Sequence, residues 1–300
     1  MKRYILLLMA VYCLFPVSAQ QSIKEIVEEP LCLVAPDSAQ KTKQLVILQT
    51  SDTHSRIEPI AVNAADRYAG MGGTVRRATF IKEARKINPN LLLFDCGDIS
   101  QGTPYYNLFQ GEVEVKMMNL MGYDAMTIGN HEFDFGLENM ARLFRMANFP
   151  VVCSNYDVTG TVLEGLVKPY TTFYRNGLKI GVFGLAPKME GLVQADKCEG
   201  VVYNDPIEAA QKMADLLKNE EGCDVVICLS HLGYQLKNAP CDEELAQKTN
   251  HIDAILGGHT HTFMKELAVY LNKDGQNVSV MHAGKNGIYV GMLKLTLAEE

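Results

Sequence analysis

Met126-Thr127-Ile128-Gly129-Asn130-His131-Glu132-Phe133-Asp134-Phe135-Gly136 joins an apolar lead to one amide, one imidazole and two carboxylates packed into five positions. Gly129 separates the two parts. After Gly136, apolar residues recur at Leu137, Met140, Leu143, Phe144 and Ala147, which is helical spacing. The stretch reads as a strand, a tight polar loop and a helix. In open α/β sheets ligands collect at the carboxyl ends of strands, and this loop stands at such an end.

Four other segments repeat the pattern. Leu45-Val46-Ile47-Leu48 runs into Asp52-Thr53-His54, and Leu91-Leu92-Leu93-Phe94 runs into Gly97-Asp98-Ile99-Ser100-Gln101-Gly102. Asp224 to Leu229 ends in Ser230-His231, and Asp253 to Leu256 ends in Gly257-Gly258-His259-Thr260-His261. Helical spacing is predicted over 74–87, from Pro104 to Met121, over 206–219, and from Cys241 to about Thr249. Val151-Val152-Cys153 is a shorter strand. Asn176-Gly177 between Tyr170–Tyr174 and Leu178–Leu185 is a hairpin signal. Strands at about 266–271, 277–282 and 288–297 close the chain, with Asp274-Gly275 as a turn. There is no repeat and no low-complexity stretch, so residues 44–300 are expected to form one domain.

The composition, 47% hydrophobic and 21% charged with net charge −7, is that of a globular protein. An acidic balance argues against a long nucleic acid as partner, which would need a basic stripe. Lys2 and Arg3, an apolar run from Tyr4 to about Val17, and Ser18-Ala19-Gln20 have the form of a secretory signal peptide. Residues 1–19 are therefore expected to be cleaved near Ala19, with export to the periplasm or beyond, and no membrane span is expected. Residues 20–43 read as a tail outside the domain. Of the eight cysteines, Cys13 falls in the leader, so an odd number remains and not all can pair within the chain. Cys96, Cys153 and Cys228 lie in apolar runs and read as buried thiols.

Asp52, His54, Asp98, Asn130, His231, His259 and His261 are the candidate metal ligands. A single DxH or HxH is a weak signal. Five polar clusters at successive strand ends form a set, because converging strand ends share one crevice. Two-residue spacing, as in Asp52/His54 and His259/His261, puts both side chains on one side of an extended segment. Carboxylate, imidazole and amide ligands without thiolate suit Zn, Mn or similar ions. There are more ligands than one ion needs, which points to two divalent ions roughly 3.5–4 Å apart.

The blocks Asp52-Thr53-His54, GDISQG from Gly97, GNHEFDFG from Gly129, His231 and Gly258-His259-Thr260-His261 resemble those of the calcineurin-like metallophosphoesterases. The two longer blocks are closest to the branch of 5′-nucleotidases, UDP-sugar hydrolases and 2′,3′-cyclic phosphodiesterases. The resemblance spans about residues 44–298. It implies an α/β fold of two stacked β-sheets flanked by helices, a four-layer α/β/β/α sandwich. It implies that Asp52, His54, Asp98 and His261 hold one ion, that Asp98, Asn130, His231 and His259 hold the other, and that Asp98 bridges them. It implies hydrolysis of a phosphate ester, with nucleotides or related small phosphates as substrates, and gives His131 and Asp134 the catalytic assisting role. Glu132 reads as a structural hydrogen-bonding residue, His251 as solvated or capping, His282 as structural, and Cys96 as packing.

Many secreted members of that branch carry a second, C-terminal domain that grips the nucleotide. The sequence ends at Glu300, about where that domain would begin, so the domain is expected to be absent. Three arrangements fit: a longer natural chain, a partner protein supplying the domain in trans, or a stand-alone phosphatase. A metal-binding subunit dependent on its partner predicts metal binding with little turnover. A phosphodiesterase or nuclease of the same superfamily is the other rival, and the acidic balance speaks against the nuclease.

Overall fold

The computed structural model describes residues 4–16 and 42–299. In chain order the elements are β1 (Tyr4–Pro16), β2 (Thr42–Thr50), α1 (Thr74–Ile87), β3 (Leu92–Asp95), α2 (Pro104–Phe109), α3 (Glu112–Met121), β4 (Ala125–Met126), α4 (Gly136–Met146), β5 (Val151–Val152), β6 (Tyr156–Asp157), β7 (Val167–Lys168), β8 (Tyr170–Arg175), β9 (Leu178–Leu185), β10 (Val202–Tyr203), α5 (Pro206–Asp215), β11 (Val225–Ser230), α6 (Asp242–Lys248), β12 (Ala254–Gly257), β13 (Ala268–Leu271), β14 (Asn277–His282) and β15 (Tyr289–Glu299).

One sheet has the order β1-β15-β2-β3-β4-β5-β7, the other β13-β14-β12-β11-β9-β8, and β10-β6 form a small ribbon. Side chains alternate across each strand, and the alternation builds the layers. Leu45 and Ile47 of β2 point to a central core with Leu92, Phe94, Ile180, Val225, Ile227 and Leu256, where the sheets face each other. Val46 and Leu48 point the other way, into a core with Phe80, Ile81, Met118, Met140 and Phe144 of α1, α3 and α4. Phe183, Val226, Cys228 and Ile255 pack on Ala210, Met213, Leu245 and Ala246 of α5 and α6. This is the expected four-layer sandwich.

Strands β2, β3 and β4 pair in parallel, and so do β9, β11 and β12. Parallel neighbours place the loops after β2, β3 and β4 at one edge of their sheet, and those after β11 and β12 at one edge of the other. The sheets are joined at this edge: Gln49 Nε2 donates to Gly257 O at 2.8 Å and Cys96 Sγ to Leu256 O at 3.1 Å.

Local sequence explains most boundaries. Asp205 caps α5 by accepting from the Ile207 and Glu208 N–H groups, with Pro206 in the first turn. Asn176 and Gly177 both have positive φ, the turn that suits the twist of the β8–β9 hairpin. One expected helix is two: Gln110 and Gly111 are left-handed and separate α2 from α3. Gly111 meets Leu143 so closely that a Cβ would lie 2.6 Å from its Cδ1. Strand β2 begins at Thr42, three residues before the apolar run that opens at Leu45 and inside the segment read as a tail.

The apolar run read as a leader lies, in the full chain, as β1 along β15. The cleavage point near Ala19 and the tail up to residue 41 fall outside the described residues. Among the described residues no helix is long and apolar enough to cross a membrane. Cys96, Cys153, Cys223, Cys228 and Cys241 are buried, Cys198 is half-buried, and all six are free thiols.

Candidate metal centre

The loops after β2 and β3 stay stitched together beyond the sheet. Asp52 N donates to Gly97 O at 2.9 Å, His54 N to Asp98 O at 3.0 Å, and Ser55 N to Ile99 O at 2.8 Å. Asp52, His54, Asp98, His259 and His261 all adopt positive φ. Asp, Asn and His tolerate this left-handed region better than most residues, yet it still costs on the order of 1–3 kcal/mol at a non-glycine site. The expectation that DxH and HxH side chains align along extended backbone is therefore corrected. They converge because the backbone leaves the strand direction at these residues.

Glu132 locks the β4 loop to the β3 loop. Its buried carboxylate accepts from the N–H groups of Gly129 at 2.7 Å, Asp98 at 2.9 Å, Ile99 at 3.0 Å and Ser100 at 3.3 Å. This is the structural role read from the sequence. His131 N donates to Asp98 Oδ1 at 2.9 Å, leaving Asp98 Oδ2 turned to His231 Nε2 at 3.1 Å. From the opposite sheet, His259 N donates to Asp52 Oδ1 at 3.0 Å.

The ligand atoms fall into two groups, Asp52/His54/His261 and Asp98/His231/His259, each gathered within 4.8 Å. The groups adjoin: His231 Nε2 lies 3.1 Å from Asp98 Oδ2 and 3.8 Å from Asp52 Oδ1. Asp98 gathers with the second group, and Asn130 stands beside it with a buried Oδ1 that has no hydrogen-bond partner. All seven expected ligands are thus brought to one edge of the sandwich.

The donor set fits two cations. His54 Nδ1 is 3.2 Å from Ser100 O, and His231 Nδ1 lies against Cys96 O. A carbonyl can only accept, so each Nδ1 carries a proton and each Nε2 is aimed into the crevice. Burial opposes a charged His231, but Asp98 outweighs it and raises the His231 pKa to about 10, so an arriving divalent ion would replace the proton on its Nε2. His54 Nε2 faces His261 Nε2 at 2.9 Å, and His261 Nε2 is 3.5 Å from Asp52 Oδ1. His231 Nε2, fully buried, has no aligned hydrogen bond. Imidazole Nε2 atoms aimed inward beside two carboxylates and an orphaned amide oxygen are what a divalent ion would satisfy.

Burial dominates the local acidity. It pushes the Asp52 carboxyl up to about 8 against the pull of His231. Burial also opposes an ionised Asp98, but His231, His54 and His131 outweigh it and hold that carboxyl below the usual range. Burial, followed by the charge of His231, brings His259 down to about 4, and burial with His54 brings His261 to about 4. Both therefore present neutral imidazoles at neutral pH.

His131 and Asp134 stand at the mouth, half-buried and exposed. His131 Nδ1 is 3.1 Å from Asp134 Oδ2. That hydrogen bond raises the His131 pKa despite partial burial. His131 and His54 rings meet edge to face at 5.5 Å, so the pair borders the first ligand group.

Residues 45–263 match the family described as calcineurin-like phosphoesterase. The chain belongs to this family. Among the relatives of this calcineurin-like phosphoesterase, 5′-nucleotidase of Rattus norvegicus is 33% identical over 275 residues, covering 85% of this chain and 46% of its own. Snake venom 5′-nucleotidase of Naja atra is 34% identical, covering 86% and 51%. The 5′-nucleotidase precursor from Thermus thermophilus superposes with a TM-score of 0.75 at 31% identity, over 84% of this chain and 51% of that one. Haemophilus influenzae NAD nucleotidase does so with 0.76 at 29% identity, over 87% and 55%. The chain spans about half the length of the curated relatives it matches.

Sequence reading of this phosphoesterase missed the support behind the second ligand group. Asp242, fully buried on α6, accepts from Ser230 Oγ and lies 2.7 Å from His282 Nε2. Ser230 precedes His231, and His282 lies under Gly257, so the pair braces both loops of that sheet. His282 is structural, as expected, but no spacing could have matched it to Asp242, 40 residues away. His251 is half-buried with positive φ, and its Nε2 is 3.7 Å from Asp215 Oδ1.

Proposed function

We propose that this domain hydrolyses phosphate esters with two divalent ions, as a 5′-nucleotidase-type phosphatase acting on nucleotides or related small phosphates. The observation that carries the reading is the pair of adjoining three-residue ligand groups with His131 and Asp134 at their mouth. The printed names of the relatives support the substrate class.

In this reading Asp52, His54 and His261 would hold one ion and Asn130, His231 and His259 the other, with Asp98 available to both. Zn, Mn or similar ions suit the donors. Bound together, two such ions supply charge neutralisation of the phosphoryl group and an activated water near neutral pH. The chain's own residues do the rest. Ser100 O and Cys96 O fix the tautomers of His54 and His231. Glu132 fixes the Asp98 loop. Asp134 holds His131 through Nδ1, so Nε2 faces the crevice and donates its proton to a phosphoryl or leaving-group oxygen.

Export after leader cleavage near Ala19 belongs to the same proposal, as does reliance on further contacts, in cis or from a partner protein, for full nucleotide affinity. The test is steady-state hydrolysis of AMP, UDP-glucose, 2′,3′-cyclic AMP and p-nitrophenyl phosphate in added Mn or Zn, with a chelated control. The expected result is chelator-sensitive turnover favouring AMP. Turnover of none of the four, or turnover indifferent to chelator, would overturn the reading.

A further inference from the structure

A cavity of about 460 Å³ is lined by Arg67, Tyr68, Phe263, Lys265 and Tyr289, on segments that also carry or contact candidate ligands. That volume is in the range of small-molecule sites. Three separate segments meet there. Tyr68 comes from the loop before α1, Phe263 from the loop after β12, and Tyr289 from the start of β15. The Tyr68 and Phe263 rings stack at 5.0 Å with 26° between their planes, and Tyr289 meets both edge-on. The exposed guanidinium of Arg67 lies over the Tyr68 ring, 4.6 Å from its centre.

The placement of Phe263 is built into the backbone. Gly284, at φ 77°, lies so close beneath it that a Cβ would be 2.2 Å from Phe263 Cε1. The same segments reach the metal centre. Phe263 follows His261 by two residues, at most about 7 Å of backbone. Gly284 N donates to Thr262 O at 2.9 Å, and Asn286 N to Asp52 O at 2.7 Å.

We propose that this cavity is a stacking subsite for the planar base of a phosphate-bearing substrate. The inference rests on the proposed phosphoesterase function and names the part of the substrate gripped by this domain itself. A planar base stacks on the Tyr68 ring, in the place where the Arg67 guanidinium plane now lies or against that plane, with the Tyr289 edge as a wall. Arg67 and Lys265 give the rim positive charge on a chain of net charge −7, which draws an anionic ligand to it. A second concavity of about 490 Å³, bordered by Leu236, Pro240 and Gln247, contains no aromatic ring among its lining residues.

The experiment is binding of AMP and adenosine to the full chain by isothermal calorimetry in chelator, so that hydrolysis plays no part. The wild type is expected to bind AMP saturably and more tightly than adenosine. Tyr68→Ala is expected to weaken both ligands by about tenfold or more. Arg67→Ala with Lys265→Ala is expected to erase the preference for AMP. In metal-loaded protein, the ratio of kcat/KM for AMP to that for glycerol phosphate is expected to fall by about tenfold in Tyr68→Ala. Absence of saturable binding by the wild type, or equal binding by Tyr68→Ala, would overturn the subsite. Loss of all ester hydrolysis with binding intact would instead remove the proposed function and leave the subsite standing.

Discussion

His131 Nδ1 stands 3.1 Å from Asp134 Oδ2, while the backbone N–H of the same His131 donates to Asp98 Oδ1 at 2.9 Å. One residue thus joins the proposed proton-donating pair to the candidate ligand groups. His131→Ala should lower kcat by about 10²–10⁴ while both ions stay bound, because its side chain is no ligand. Asp134→Asn should cost less, since only the orientation and charge support of His131 are lost. Metal analysis beside steady-state kinetics checks this. Full activity in His131→Ala would remove the acid role.

Glu132 satisfies four backbone donors from a fully buried position. Glu132→Ala leaves those N–H groups without partners and should cost at least about 3 kcal/mol of stability. Urea unfolding measures it, with ion content as a second readout because Asp98 is held by the same bonds. A loss below about 0.5 kcal/mol would show that the loop does not depend on this carboxylate.

Gly129 allows the β4 loop to lie against Asp98: a Cβ there would be 2.2 Å from Asp98 Oδ1 and 2.5 Å from Asp98 N. Gly129→Ala should therefore displace Asp98 and reduce bound metal below the wild-type level. Unchanged stoichiometry would mean that the loop relaxes without moving the ligand.

The sequence displayed this centre more fully than it displayed the fold around it. All seven expected ligands meet at one edge because each follows an apolar strand, and strand ends are marked locally by residue type. The β8–β9 turn was legible for the same reason, in Asn176-Gly177. The break between α2 and α3 was not, because the packing of Gly111 on Leu143 is a tertiary contact. The short strands β6, β7 and β10, two residues each, carry no periodicity to read. The left-handed backbone at the candidate ligands was equally hidden, since it is set by contacts between neighbouring loops, with Glu132 holding only the Asp98 segment. Asp242 with His282, and the rings of Tyr68, Phe263 and Tyr289, come together only through topology.

Asp95 gives the stability a pH dependence. Burial pushes its carboxyl from the usual 3.8 to about 7, although a hydrogen bond from Thr50 Oγ1 at 2.6 Å favours the charged form. The folded state thus holds this proton more tightly than the unfolded state. The contribution is fully present below about pH 4 and is lost as pH rises through about 7. Asp95→Asn has no proton to lose. From about pH 5 to about pH 8 it should gain on the wild type by up to about 3 kcal/mol. Denaturant unfolding of both proteins across that range checks the sign. A difference that stays flat or falls would place an ionised Asp95 in the native protein.

The most direct test of the central claim is a titration of the chelator-stripped chain with Mn²⁺, following bound ion and AMP hydrolysis together. The account predicts that hydrolysis rises to its plateau as the second ion binds, and that Asp98→Ala fails to hold two. A plateau at one ion, or hydrolysis before any ion is added, would contradict it.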